Sequence, residues 1–185
     1  SLAMRMTTII PSALPDGPRG RQTGRVDDAG MGGERAALGA MERAGLPHRI
    51  VRHGRVGSLA EAAVARGVEE RDVVKTLVVR RADEDYLFVL VPGDRSISWP
   101  LLRAHLGVSR LSLPDADDAR RVTGYERGTI TPFGSTVAWP VIADERMRGR
   151  EVALGAGAHG VAAVAFADDI VASLAGSWAD VTEPA

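Results

Sequence analysis

Two apolar, β-branched runs, Asp72 to Arg80 (DVVKTLVVR) and Tyr86 to Val91 (YLFVLV), are separated only by a short segment containing the polar Ala82-Asp83-Glu84-Asp85. Runs of this composition and length, joined by so few residues, read as a β-hairpin at the heart of a sheet. The rest of the chain must therefore arrange itself around that hairpin. With 185 residues there is enough chain for one well-packed core and too little for two.

Punctuation around the hairpin marks the other elements. Glu34 to Ala44 has helical spacing and stops at Gly45 with Pro47 beyond, and His48 to His53 alternates as a short strand. Ser58-Leu59-Ala60-Glu61 has the form of a capping box opening a helix that runs to Arg66 and ends at Gly67. Ser98-Trp99-Pro100 starts a helix finishing at Gly107, and Pro114-Asp115 opens one through Thr123. Val137–Ala143, Arg150–Leu154 and Val161–Phe166 read as strands, and Asp168 as the cap of a last helix to Leu174. Strands and helices mix without a βαβ alternation. The expected architecture is mixed α/β (α+β): a curled, partly closed sheet or barrel surrounded by helices. Residues 1–33, with three prolines and scattered arginines, read as a poorly ordered tail, and Ser1-Leu2-Ala3 before Met4 resembles a cloning remnant. The domain proper is expected over 34–185.

Several chemistries are excluded by what the chain lacks. Cysteine is absent, which removes disulfides, thiolate nucleophiles and most structural zinc sites. The four histidines, His48, His53, His105 and His159, form neither HxxxH nor HExxH, so no metal and no cofactor is expected. No GxSxG elbow, Walker loop or deaminase signature occurs. No apolar run approaches the roughly 18 to 20 residues that span a bilayer, and a soluble, cytoplasmic protein is the expectation. Charge is uneven: Glu34 to Arg81 holds ten cations and six anions, Ala82 to Ala185 nine and fifteen. A polyanion would approach the first half, unless those arginines are merely a solvated surface.

Lys75 stands out because it is the single lysine beside 22 arginines. An ammonium is a compact point charge with three rotatable donors, whereas guanidinium is a flat, permanently charged fork. A lysine that persists in so arginine-rich a chain is a candidate for needing an amine. Strand alternation puts Lys75 on one face with Val73, Leu77 and Val79. Either its stem snorkels to the sheet edge, or it lines a pocket whose ligand completes its hydrogen bonds. The segment Gly124 to Gly134 (GYERGTITPFG) has the same two readings: a bend whose amides cradle an anion or ribose, or a long turn stiffened by Pro132.

Taken in order, VVKTLVV, FVLVPGD, TGYERGTITPFG, PVIAD and GAGAHG resemble the YbaK/EbsC family, related to the editing domain inserted in bacterial prolyl-tRNA synthetase. The resemblance covers about Glu34 to Glu183. It implies hydrolysis, in trans, of the ester joining a noncognate amino acid to the terminal ribose of a transfer RNA. It implies that Lys75 is the functional residue. It further implies that Gly124, Tyr125, Gly128, Thr131, Pro132, Phe133 and Gly134 shape the pocket floor, that Gly155 to Gly160, including Gly157, His159 and Gly160, line another wall, and that Asp144 supports them. Family members that act on Cys-tRNA(Pro) carry an aspartate where this chain has Gly160-Val161-Ala162-Ala163, and a tyrosine near His53. The expected cargo is a small side chain such as alanine, serine or cysteine on tRNA(Pro), with prolyl-tRNA synthetase as a partner. The alternatives are a noncatalytic tRNA- or nucleotide-binding regulatory module using the same pocket, and a hydrolase of a small molecule that resembles an aminoacyl ester.

Overall fold

The structure, a computed structural model, describes residues 27–185. The hairpin forms as its composition demands: β2 (Val74–Ala82) and β3 (Asp85–Pro92) pair antiparallel with Val78 opposite Phe88. Parallel strands β5 (Val141–Asp144) and β8 (Ser177–Ala179) extend this sheet in the order β2-β3-β5-β8. A second, antiparallel sheet has the order β1-β7-β6, built from β1 (Arg49–Arg52), β6 (Glu151–Gly155) and β7 (Val161–Phe166). The two are stitched by a parallel bridge between Val73 and Ala153. The surface curls without closing, because β1 and β8 remain its unpaired ends. A third, small sheet pairs β4 (Arg95–Ile97) with β9 (Thr182–Pro184).

Period 2 along β3 sends its residues to two cores. Tyr86, Phe88 and Leu90 join Val74 and Val78 in the larger cluster, enclosed by β6, β7 and Met41 of α1 (Asp27–Arg43). Leu87, Val89 and Val91 join Val79 in the smaller one, with Ile97 and with Leu102 of α3 (Trp99–Leu106). A strand buried on both faces explains why YLFVLV lacks alternation. The buried Asp72 ends a 3₁₀ turn, Glu70–Asp72, and accepts from Arg150 Nε at 2.5 Å and Nη2 at 2.8 Å, anchoring the start of β2 beside β6.

The caps match their signatures with two corrections. Ser58 accepts from the Glu61 amide at 3.1 Å at the head of α2 (Leu59–Arg66), but the Glu61 carboxylate reaches past Ser58 to the amide of Gly57. Asp115 caps α4 (Ala116–Thr123) through the Asp118 amide. Asp168 caps nothing: α5 (Ala167–Ser173) starts after Phe166, and the Asp168 carboxylate accepts instead from Gly149 N at 2.6 Å. Residues 27–33, expected in the tail, are the first turns of α1, while 1–26 lie outside the described residues. β5 begins at Val141, four residues later than expected, directly after Pro140. No helix among the described residues is long and apolar enough to cross a membrane.

Candidate functional site

Three clefts lie side by side around the segment Gly124 to Gly134 and the turn at 155–160. The first, of about 370 Å³, runs along β2 and is walled by Lys75, Thr76 and Val78, by Leu113 to Ala116 and Ala119, and by Arg127, Gly128, Ile130 and Gly155. The second, of about 480 Å³, is lined by His53, Gly54, Arg55, Val56, Arg66, Gly128, Ala158, His159, Gly160 and Val161. Arg66 and Gly128 belong to both. The third, of about 400 Å³, includes Gly30 and Gly33 of α1 with Gly124, Tyr125, Gly157 and His159. His159 and Ala158 join it to the second.

Lys75 is half-buried, and its Nζ donates to the backbone carbonyl of Arg95. Strand alternation directs it to the face of Leu77 and Val79, beneath β4, as the pattern requires. Burial pushes its pKa down from the ordinary lysine range, and the nearby Asp94 carboxylate opposes that shift. One carbonyl leaves two of the three ammonium protons for a ligand. The neighbouring Thr76 presents a buried hydroxyl with no hydrogen-bond partner among the described residues. Its oxygen is shut off from the cleft, and nothing in the sequence pattern singles it out.

The glycine-rich segment owes its shape to buried contacts. Tyr125 is 3% exposed, and its hydroxyl donates to the Phe133 carbonyl at 2.6 Å, closing the loop on itself. Burial pushes that phenol up to about 12. Thr131, Pro132 and Phe133 are buried, with Phe133 in the larger core and Thr131 Oγ1 accepting from its amide at 3.4 Å. Gly134, at φ +74, packs on Ala36 of α1. None of these four lines the three clefts. They support the loop from beneath, together with the buried Tyr125 ring, while Gly124 and Gly128 are exposed. Tyr125→Phe is expected to cost about 1 to 3 kcal/mol, the range for orphaning a buried carbonyl, and a lowered thermal midpoint would report it.

One close approach needs glycine. The Cβ that Gly157 lacks would sit 2.3 Å from the carbonyl oxygen of Gly33, so α1 lies directly on the turn. His159 lies across Gly128, with Cε1 3.3 Å from where a Cβ would be. His53 is held by backbone and side chain: its N–H donates to Gly160 O at 2.9 Å, its Nδ1 lies 2.8 Å from Gly54 O, and its Nε2 accepts from Arg66 Nε at 3.3 Å. Both ring contacts are satisfied together only by the Nδ1–H tautomer.

Asp144 stands apart. It is 0% exposed and lines none of the three clefts. Its carboxylate accepts from Thr182 Oγ1 at 2.7 Å, from Arg146 N and Nη1 at 3.1 Å, and from Val181 N at 3.4 Å. The Arg95 side chain donates to Thr182 Oγ1 at 2.7 Å and to Thr182 O at 3.1 Å, so Asp144 fastens the strand pair whose Arg95 carbonyl holds Lys75.

Sequence reading did not single out Arg66. It is half-buried, it forms no ion pair among the described residues, and burial lowers its pKa. With Arg55 it places cations of the basic first half in the second cleft, whose lining holds no carboxylate.

A family model described as an aminoacyl-tRNA editing domain matches residues 53–171, which contain β2, the glycine-rich loop and the 155–160 turn. The proline–tRNA ligase of Citrifermentans bemidjiense is 34% identical over 92 residues, covering 50% of this chain and 16% of that enzyme. The corresponding enzyme of Caldicellulosiruptor saccharolyticus is 32% identical over 82 residues, 44% of this chain and 14% of its own. The chain thus spans about a sixth of the length of these relatives. A solved structure described as a candidate trans-editing enzyme for prolyl tRNA synthetase superposes with a TM-score of 0.75 at 25% identity, over 82% of this chain and 97% of that one. The hypothetical protein APE2540 superposes with a TM-score of 0.73 at 25% identity, over 80% and 99%.

Proposed function

The chain belongs to the aminoacyl-tRNA editing domain family, and from that premise we propose that it acts in trans as a deacylase, hydrolysing the ester between a noncognate amino acid and the terminal ribose of a transfer RNA. The observation that carries the reading is the first cleft, which Lys75 of β2 and Gly128 of the glycine-rich loop both line.

An aminoacyl ester is already activated, so the protein needs chiefly to position the attacking oxygen and stabilise charge on the carbonyl oxygen. Water attacks the carbonyl carbon, the bond from that carbon to the ribose oxygen breaks, and the departing ribose oxygen takes up a proton. The Lys75 ammonium, with two protons to spare beside the Arg95 carbonyl, is the positive charge for the developing oxyanion. Beside Arg66, Asp115 and Arg127, the residues Val74, Val78, Ala116, Ala119 and Ile130 give the wall an apolar stretch, which suits a small side chain such as alanine or cysteine. His53 and His159, in the adjoining cleft, contact the nucleotide rather than the ester.

The likeness to proline–tRNA ligases supports tRNA(Pro) as the carrier and prolyl-tRNA synthetase as the partner that delivers it. The test is a panel of tRNAs, including tRNA(Pro) charged with alanine, cysteine, serine or proline, incubated with the purified protein while ester loss is followed. Rapid loss of a small noncognate amino acid and retention of proline are expected. Tight binding of the charged tRNAs with no ester loss would favour a noncatalytic binding module instead.

A further inference from the structure

Arg66 closes α2, where a basic side chain ordinarily serves the helix's own last carbonyls. Here two of those carbonyls are already met by the backbone: Gly67 N donates to Val64 O at 3.2 Å, and Val68 N to Ala63 O at 3.1 Å. The guanidinium turns away, to His53 on the loop after β1, with a single hydrogen bond among the described residues from its five N–H donors. A half-buried guanidinium without an anion loses hydration and gains little in return, and it cannot shed its proton. The remaining donors border a cleft lined by two arginines and two histidines and by no carboxylate. That cleft continues, through Arg66 and Gly128, into the one bearing Lys75 and Thr76.

We propose that this second cleft is a phosphodiester subsite, in which Arg66, oriented by His53, binds the phosphate linking the terminal nucleoside of an RNA 3′ end to the nucleotide before it. The inference rests on the functional reading above: the acylated ribose occupies the first cleft, and the next phosphate back falls at the junction the two clefts share. Arg55 and His159 complete the cationic rim. Arg66 thereby measures one nucleotide from the ester, which admits an RNA end and leaves a free aminoacyl ester loosely held.

The experiment compares two uncharged probes, the trinucleotide CpCpA and adenosine, titrated against the protein and its Arg66→Gln and Arg66→Lys variants by NMR chemical-shift perturbation. CpCpA is expected to bind the parent protein tenfold or more tighter than adenosine. Arg66→Gln should erase that advantage and leave adenosine binding unchanged, and Arg66→Lys should restore part of it. The salt dependence of CpCpA binding should flatten in Arg66→Gln by about 0.7 log units per log unit of salt, the increment for one single-strand phosphate contact. Undiminished CpCpA binding by Arg66→Gln, or equal loss of both probes, would overturn the subsite. These titrations need no hydrolysis. A parent protein that deacylates nothing yet binds CpCpA through Arg66 would therefore refute the enzymatic reading and leave the subsite standing.

Discussion

Lys75→Ala is expected to lower the deacylation rate on a mischarged tRNA by about 100-fold or more, the scale at which one donor to a developing oxyanion is lost. The fold should survive. The side chain is half-exposed, its ammonium makes one hydrogen bond among the described residues, to the Arg95 carbonyl, and β4 is held independently by the bonds of Arg95 to Thr182. The thermal midpoint should therefore move by no more than a surface substitution would produce, about 0.5 kcal/mol in stability. Lys75→Arg preserves the charge, yet a planar fork cannot take the place of a compact ammonium between the Arg95 carbonyl and a substrate oxygen. It should recover little of the rate. Single-turnover kinetics with the three proteins at matched tRNA decide the matter, and a parental rate in Lys75→Ala would remove the amine from the mechanism.

The largest expected effect on stability is at Asp144. Its carboxylate is wholly buried and serves Thr182, Val181 and both the backbone and side chain of Arg146. Arg146 in turn donates to Asp180 at 2.8 Å, so the last strand pair hangs on this group. Asp144→Ala orphans a hydroxyl and an amide in the interior and strips Arg146 of a partner, and should cost about 3 to 5 kcal/mol. That is a large part of the roughly 5 to 15 kcal/mol by which domains are stable. A urea midpoint lowered with unchanged slope would show it. Asp144→Asn, which keeps the size and one acceptor oxygen, should cost less. A parental midpoint in Asp144→Ala would show that the carboxylate does not anchor β9. Loss of activity in these variants would follow from displacement of β4 and of the carbonyl that holds Lys75, since Asp144 lines none of the clefts.

The candidate site was legible where local chemistry and geometry coincide. A lone lysine on an apolar strand face and a glycine-dense bend each announce themselves in a stretch of about ten residues, and the clefts unite Lys75 with Gly128. Thr131, Pro132 and Phe133 share the motif yet turn inward, because the hydroxyl of Tyr125 draws the Phe133 carbonyl beneath the loop. Arg66 carried no signal. Among so many arginines its neighbourhood is set by α2 packing against the loop after β1, a contact between residues 13 positions apart.

The sequence by itself determined the hairpin β2–β3, the caps at Ser58, Ser98 and Asp115, and the helix ends at Gly67, Gly107 and Gly124. Each depends on hydrogen bonds and backbone angles within a few residues. Tertiary structure alone decided the parallel order β3-β5-β8, the three-residue strands β4, β8 and β9, the inward role of Asp144 and the cation at the junction of two clefts. Three residues are too few to display a period. A buried carboxylate or a half-buried guanidinium, likewise, acquires its surroundings only from distant segments.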